Sequence, residues 1–326
     1  MAGVTAIIPT WNRRELLECL LESLGRQTLS PAEILVVDNA SDDGTAEMAA
    51  ARGARVLRMP ANAGFSRAVN AGLRQAKTEW VAIVNNDVEA KPEWLERLLR
   101  GCESAGAWFA SGKLLNASRR DELEGAFDAL CRGGCAWRAG HGRRDGAEWA
   151  NRRPARFVPF TAALFRRQLF EQVGFLDEDF ESYLEDVEFG LRCALGGFGG
   201  VYVPEAVAYH AGSATLGAWH KETVRRMARN QLLLVARHYP DKWLRRYGWP
   251  VLVAQSLWGL VALRHGAGLA WLRGKLEGLR AFRSKRRAAS HPERLARILK
   301  ESERELLALQ EGTGFDLYWR LYFALT

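Results

Sequence analysis

The residues best suited to chemistry are carboxylates that close apolar runs. Asp87 ends the run at 81–84, with Asn85 and Asn86 in front of it. A single carboxylate at such a strand end could hold Mg2+ or Mn2+, which prefer oxygen ligands and take the remainder from phosphates and water. It could also cap the helix that Pro92 helps to start, and on spacing alone the cap is the better reading. Asp38 ends a second run, "EILVVD", and is followed by the turn-rich "NASDDGT". A carboxylate presented there would suit the imide N–H of uracil or thymine. An Asx turn, or a cap for "GTAEMAA", accounts for the same residue equally well.

The stretch "YLEDVEFGLR" sets Glu185 and Asp186 side by side ahead of a helical pattern, with Glu188 two positions on. Adjacent side chains at a helix start diverge, so only one need face a cleft. One positioned carboxylate is enough to take a proton from a sugar hydroxyl, whereas the helix dipole alone explains acidic residues at this end. His210 follows an apolar strand. A lone histidine is more often structural, yet one at a strand end near a carboxylate can complete a metal site. Cys131, Cys135 and His141 have a spacing compatible with zinc, but no fourth ligand stands at recognisable distance. The Gly-rich "CALGGFGG" lacks the lysine and the strand-to-helix setting of a phosphate-cradling loop.

The elements that must position these groups alternate. "VTAII", "EILVVD", "RVLRM", "WVAIVN" and "AWFASGK" read as strands, and the segments between them carry apolar residues at helical spacing. Such alternation predicts right-handed βαβ units in a mostly parallel sheet covered on both faces, with ligands beyond the carboxyl ends of the strands. Those ends carry Pro9 to Asn12, Asp38 to Ser41, Pro60 to Gly64 and Asn85 to Asp87. From about 101 to 154 the pattern weakens into loops and a variable insert. "GVYVP" and "AVAYH" then read as two short strands, and the chain looks helical from Trp219 onward.

At 326 residues and 48% apolar content the chain can bury a large core. Five scattered cysteines make poor material for a disulfide framework and point to a reducing compartment. The first residues lack the basic and long apolar regions of a secretory signal. Net charge is +8, but residues 221–300 alone hold 19 Lys and Arg against 4 Asp and Glu. A basic region of this kind suits a polyanionic surface such as anionic lipid or nucleic acid, or is simply a solvated helical face. The 17 uncharged residues at 247–263 sit at the bottom of the membrane-spanning range. With tryptophans and arginines on their flanks, they fit a helix lying in an interface better than one crossing it.

Taken in order, "AIIPTWNRRELLECLLESLGRQT", "ILVVDNASDDGT", "NAGFSRAVNAGL", "WVAIVNNDV", "VGFLDEDFESYLEDVEFGLRCALGGF" and "AYHAGSAT" resemble the family 2 glycosyltransferases of the GT-A fold. The likeness covers about residues 4–215 and is strongest to the bacterial rhamnosyltransferase-like branch. It implies a Rossmann-like α/β catalytic domain over 1–215, with a nucleotide-sugar half to about 115 and an acceptor half from about 116. A basic, mainly helical, membrane-associating region would occupy 216–326. It further implies an inverting, metal-assisted transfer, with Mg2+ or Mn2+ as cofactor. The donor would be a dTDP- or UDP-sugar, rhamnose first and a UDP-hexose as the alternative, and the acceptor a glycan or lipid-linked glycan.

Carried onto this sequence, the resemblance assigns Pro9, Thr10 and Asp38 to the nucleobase, with Asn39 beside them. Asn62, Gly64 and Arg67 would line the nucleotide side, and Asn86 and Asp87 fall on the Asp-x-Asp-like motif. Asp87 and His210 would hold the metal. Asp186 would be the catalytic base, with Glu185 in a supporting or acceptor role. Asn85 and Asn86 stand where many members have carboxylates, which implies a weaker metal site. The expected location is the cytoplasmic face of a membrane, with anionic lipid rather than nucleic acid as the partner of the basic region. The reading from another class is a catalytically silent binder of nucleotide sugars or nucleic acid.

Overall fold

The computed structural model describes residues 3–212, 219–287 and 291–326. The end of the "AYHAGSAT" motif, and with it the expected boundary at 215, lies outside them. The chain begins β1 (Val4–Thr10), α1 (Arg14–Gly25), β2 (Glu33–Asp38), α2 (Thr45–Ala51), β3 (Arg55–Arg58), α3 (Phe65–Gln75) and β4 (Trp80–Val84). It continues through β5 (Val88–Ala90), α4 (Trp94–Ala105), β6 (Phe109–Asn116), β7 (Leu123–Gly125), β8 (Asp128–Leu130), β9 (Ala136–Arg138), β10 (Arg153–Ala155) and β11 (Ala162–Arg166). Next come α5 (Gln168–Val173), α6 (Glu185–Gly196) and β12 (Gly200–His210). Helices α7 (Lys221–His238), α8 (Trp243–Arg264), α9 (Gly268–Lys285), α10 (Pro292–Thr313) and α11 (Leu317–Leu325) close the chain. Two compact units result: Met1–Phe127 with Gly140–Gly212, and Asp128–Ala139 with Ser213–Thr326.

In the first unit, β3-β2-β1-β4 are parallel neighbours, as the alternation requires. β1 and β4 are buried along their whole length, the mark of strands covered on both faces, whereas β3 puts Arg55 and Arg58 at the exposed edge. Leu17, Leu20, Leu21 and Leu24 give α1 its buried stripe. The other half of the sheet is mixed, because β11 runs antiparallel to both β4 and β6. Beyond β6, which the run "AWFASGK" anticipates, the stretch at 101–154 expected to be loops also supplies the short strands β7 to β10. The two strands expected after Gly199 are one, β12, whose register against β6 shifts between Val203 and Val207. Pro204 cannot donate to a ladder, which suits it to that bulge. Opposite the bulge stands Gly112, where a Cβ would lie 1.9 Å from the Ala206 carbonyl oxygen.

In the second unit the hairpin β8-β9 is seated among the helices by side chains. Ser302 Oγ accepts from Leu130 N at 2.8 Å, Glu303 Oε1 accepts from Arg132 N at 2.8 Å, and Tyr239 donates to Arg132 O at 2.8 Å. Helix α9 packs along α7, and α8 packs on both α9 and α11. A small part of the positive charge is paired internally: Arg225 holds Glu222 and Glu277, and Arg273 also reaches Glu277. Among the described residues no helix is long and apolar enough to cross a membrane.

Lys275 is buried in this unit and donates to Ala228 O, Gln231 Oε1 and Gln255 Oε1 at 3.0, 2.7 and 2.6 Å. Burial pulls its pKa down to about 7, against a weaker upward pull from Cys135. The unfolded chain therefore binds more protons than the folded one between about pH 7 and the ordinary lysine value near 10.4, so this group makes stability rise with pH across that window. The cost of burying the charge is fully present below the window. Denaturant midpoints at pH 7 and pH 9 should show a larger gain for the wild type than for Lys275→Met, and equal gains would refute the account.

Candidate active site

The parallel register of β1 and β2 brings Thr10 level with Asp38 at the carboxyl end of the sheet. Pro9 is buried within β1 one residue earlier. Asp38 is only 2% exposed, and its Oδ1 accepts from Ser41 N at 3.1 Å, so the Asx turn is formed. Its other oxygen takes no hydrogen bond from the described residues and remains able to accept from a ligand. Asn86 Nδ2 donates to Thr10 Oγ1 at 2.8 Å and ties the tip of β4 to that of β1.

Asn39 and Asn62 shape the loop at 61–64. Asn39 Nδ2 donates to Asn62 Oδ1 and Gly64 O at 3.0 and 3.3 Å, while Asn39 Oδ1 accepts from Ala63 N at 2.9 Å. These two amides position backbone. Gly64 has φ 86°, and a Cβ there would come 3.2 Å from the Glu181 carbonyl oxygen, so glycine meets both demands at once. Arg67, in the first turn of α3, pairs with Glu178 Oε2 at 3.2 Å and is largely exposed.

The segment ahead of α6 is held from α3. Asn70 donates to Leu176 O and accepts from Leu176 N, both at 3.0 Å, and Ser66 N donates to Glu181 O at 2.9 Å. Glu181, Tyr183 and Leu184 have positive φ (59°, 73° and 67°), as do Asn12, Arg13 and Ala40 near the ends of β1 and β2. Left-handed backbone at bulky residues costs on the order of 1 kcal/mol or more each and gathers at functional sites. Leu184 forms the turn that starts α6.

The three acidic residues of that start then part ways. Glu188 is 1% exposed and takes three contacts from Arg192 at 2.9 to 3.0 Å. Arg192 in turn donates to the carbonyls of Val173, Gly174 and Phe175. Glu188 is therefore a buttress. Glu185 is buried, while Asp186 is half-buried with Oδ1 accepting from Val187 N at 2.8 Å.

Antiparallel pairing of β5 with β12 sets His210 opposite Val88, the residue after Asp87. His210 Nε2 lies 3.1 Å from Asp87 Oδ1, and its Nδ1 lies 3.5 Å from Glu124 Oε2 on β7. Burial would lower the imidazole pKa, but hydrogen bonds to the two carboxylates raise it to about 9. A separation of 3.1 Å is close to that of neighbouring ligands roughly 2.1 Å from an octahedral ion, and an oxygen and an imidazole nitrogen suit Mn2+ or Mg2+. Glu124 behind the far ring nitrogen is the usual outer partner of a metal-binding histidine. No group of three or more His, Cys, Asp or Glu side chains that could hold a metal ion occurs among the described residues, so a divalent cation held by Asp87 and His210 would have to take its other ligands from phosphate and water. The zinc reading for Cys131, Cys135 and His141 does not hold. Both cysteines are buried free thiols, and the His141 ring engages Glu124 O at 2.9 Å.

The family model for glycosyl transferase family 2 matches residues 5–174. The N-acetylglucosaminyl-diphospho-decaprenol L-rhamnosyltransferase of Mycobacterium tuberculosis (strain ATCC 25618 / H37Rv) is 30% identical over 287 residues, spanning 76% of this chain and 87% of that protein. The chain belongs to glycosyl transferase family 2. As a member of this family it is an inverting enzyme that moves a sugar from a nucleoside diphosphate donor. The GT-A fold is shared with two solved structures. One is GalNAc-T7 with UDP, GalNAc and Mn2+ (TM-score 0.64, 14% identity, 96% of this chain and 58% of that one). The other is the mannosyltransferase PcManGT of Pyrobaculum calidifontis with GDP-Man and Mn2+ (TM-score 0.54, 19% identity, 99% and 86%).

Glu124, Asn70 and Arg192 of this glycosyltransferase were not singled out from sequence. The Glu188–Arg192 spacing of four was a usable signal for a helical ion pair. Glu124 had none, on a strand of three residues in the stretch with the weakest pattern.

Proposed function

We propose that the enzyme transfers rhamnose from a dTDP-linked donor to a hydroxyl of a lipid-linked glycan, with Asp87 and His210 holding Mg2+ or Mn2+ and Asp186 acting as the base. The observation that carries the reading is the 3.1 Å approach of Asp87 to His210 at the carboxyl end of the sheet, a pair that would take a cation by releasing the imidazole's proton. The rhamnosyltransferase relative supports the choice of sugar, and a UDP-hexose is the alternative donor.

Asp38 offers its free oxygen to a base N–H, and Thr10 and Asn86 fix the neighbouring strand tips. The cation, when bound, neutralises charge on the leaving diphosphate. Asp186 takes the proton of the acceptor hydroxyl as that oxygen attacks the anomeric carbon from the opposite face, so one displacement inverts the configuration. Thermal shift with dTDP-, UDP- and GDP-sugars, each with and without Mn2+, tests the donor assignment, because ligand binding stabilises the folded state by mass action. The expected result is a metal-dependent rise with dTDP-rhamnose that Asp87→Ala removes. The absence of a rise with every nucleotide would overturn the donor assignment and leave a weak-binding enzyme or a degenerate binder.

The second unit is proposed to dock on the inner face of an anionic membrane. Helix α8 exposes Trp249, Leu252, Leu260 and Leu263, and α9 exposes Leu269, Leu272, Leu276 and Leu279, the first row at spacings of three and eight and the second at three and four. Arg245, Arg264, Arg280 and Arg283 supply cationic flanks. Flotation with anionic liposomes should succeed at low salt and persist in part at high salt, because the apolar contribution survives screening. Failure to float at low salt would end this reading.

A further inference from the structure

We infer that the C-terminal unit contains a second binding site, for a phosphate or diphosphate group. It occupies a cavity of about 440 Å³ within that unit. The inference concerns residues apart from the sugar-transfer site and stands whichever donor the enzyme uses.

Four cations line the cavity: Arg132 from the hairpin, Arg246 from α8, and Lys300 and Arg304 from α10. The one carboxylate there, Glu303, is already engaged. Its oxygens accept from Arg132 N at 2.8 Å, from Arg132 Nε and from the Tyr322 hydroxyl. Glu303 therefore offsets one positive charge and leaves three. Arg246 has only a loose contact with Glu293, at 3.6 Å, and both partners are largely exposed. Lys300 and Arg304 have no ion-pair partner among the described residues, and they stand one helical turn apart, where like charges repel. Three such charges around one concavity repel one another through screening water, and an anion entering it would relieve that repulsion.

A second observation is independent of charge. Tyr247 lines the same cavity, is 1% exposed, and its buried hydroxyl has no hydrogen-bond partner. Its ring is fixed against Tyr239, with centroids 4.9 Å apart, and the Arg246 guanidinium lies 5.7 Å from the ring centre. Leaving a buried hydroxyl unmatched is costly, and nearly all such groups in folded proteins find a partner. A phosphoryl oxygen is an acceptor that can satisfy the O–H and several guanidinium and ammonium groups together. A carboxylate ligand would supply fewer oxygens for the same number of donors. Leu307 and Phe323 give the cavity an apolar wall, which would receive the first carbons of a phosphate ester and would be indifferent to inorganic phosphate.

Isothermal titration calorimetry on the full chain, with inorganic pyrophosphate, inorganic phosphate and hexyl phosphate as probes, tests the site. Binding is expected to weaken at least tenfold in Lys300→Ala/Arg304→Ala. These are exposed positions whose truncation leaves the fold intact, as circular dichroism would verify. Tyr247→Phe, which removes only the hydroxyl, should weaken it about three- to tenfold. Asp87→Ala should leave it unchanged, which separates this site from any phosphate binding at the sugar-transfer centre. Hexyl phosphate binding more tightly than inorganic phosphate would identify an ester on an apolar carrier as the ligand, and equal binding a free phosphate. Wild-type affinity in the double variant, or loss of the signal in Asp87→Ala, would overturn the assignment.

Discussion

Asp186→Asn is expected to lower kcat by about a thousandfold while leaving the donor KM within about threefold of wild type and the thermal midpoint unchanged. Proton removal by a positioned group contributes roughly 10²- to 10⁴-fold, and the amide cannot accept the proton. The substitution conserves shape, and the amide oxygen can still accept from Val187 N, so the start of α6 should not move. Neither neighbouring carboxylate is positioned to substitute. Glu188 is spent on Arg192, and Glu185 is buried. Steady-state kinetics with saturating donor would decide the matter. A variant that keeps more than about a tenth of its turnover would take the base role away from Asp186.

Glu188→Ala should be the most destabilising substitution near the site, by about 3–5 kcal/mol. That is the usual penalty for breaking one half of a buried ion pair and leaving the other charge uncompensated. Arg192 would keep the three carbonyls at 173–175 and the weaker attraction of Asp177, but lose the carboxylate that holds it by hydrogen bonds, in a position where the pair is largely shielded from water. Glu188→Gln should recover part of the loss, because an amide oxygen can still accept from the guanidinium. Urea midpoints for the three proteins would measure this. A shift below about 1 kcal/mol would mean that the pair behaves as an exposed one. Since the carbonyls at 173–175 lead directly into the segment clamped by Asn70, activity per folded molecule should also fall.

How far the sequence could be read depended on how local each signal was. The βαβ half was legible because its strands are apolar runs of standard length with amphipathic helices between them, so the strand ends, and with them Asp38 and Asp87, stood out. The pairing of Asp87 with His210 was not derivable from spacing. It arises only when β5 meets β12 across the sheet, and it was suggested by family resemblance alone. The resemblance places Asn39 and Asn62 on the nucleotide side, and hydrogen-bond geometry adds what composition does not, that their amides hold the loop at 61–64. The stretch at 101–154 resisted reading because its strands after β6 are three residues long, too short for a period to register. One clue was present there: "CRGGC" between "DAL" and "AWR" is a glycine turn flanked by short runs, as in a hairpin.

That hairpin has a consequence for how the protein is made. It leaves the ribosome well before α7 to α11, yet its backbone groups at Leu130 and Arg132 find their partners on α10, near the end of the chain. The nascent first unit must therefore carry an incomplete loop, with Cys131 and Cys135 uncovered, until the last helices are synthesised. Completion of the second unit depends on contacts of high sequence separation, which form slowly. A stalled or truncated chain would present the hairpin, and its two thiols, to quality control.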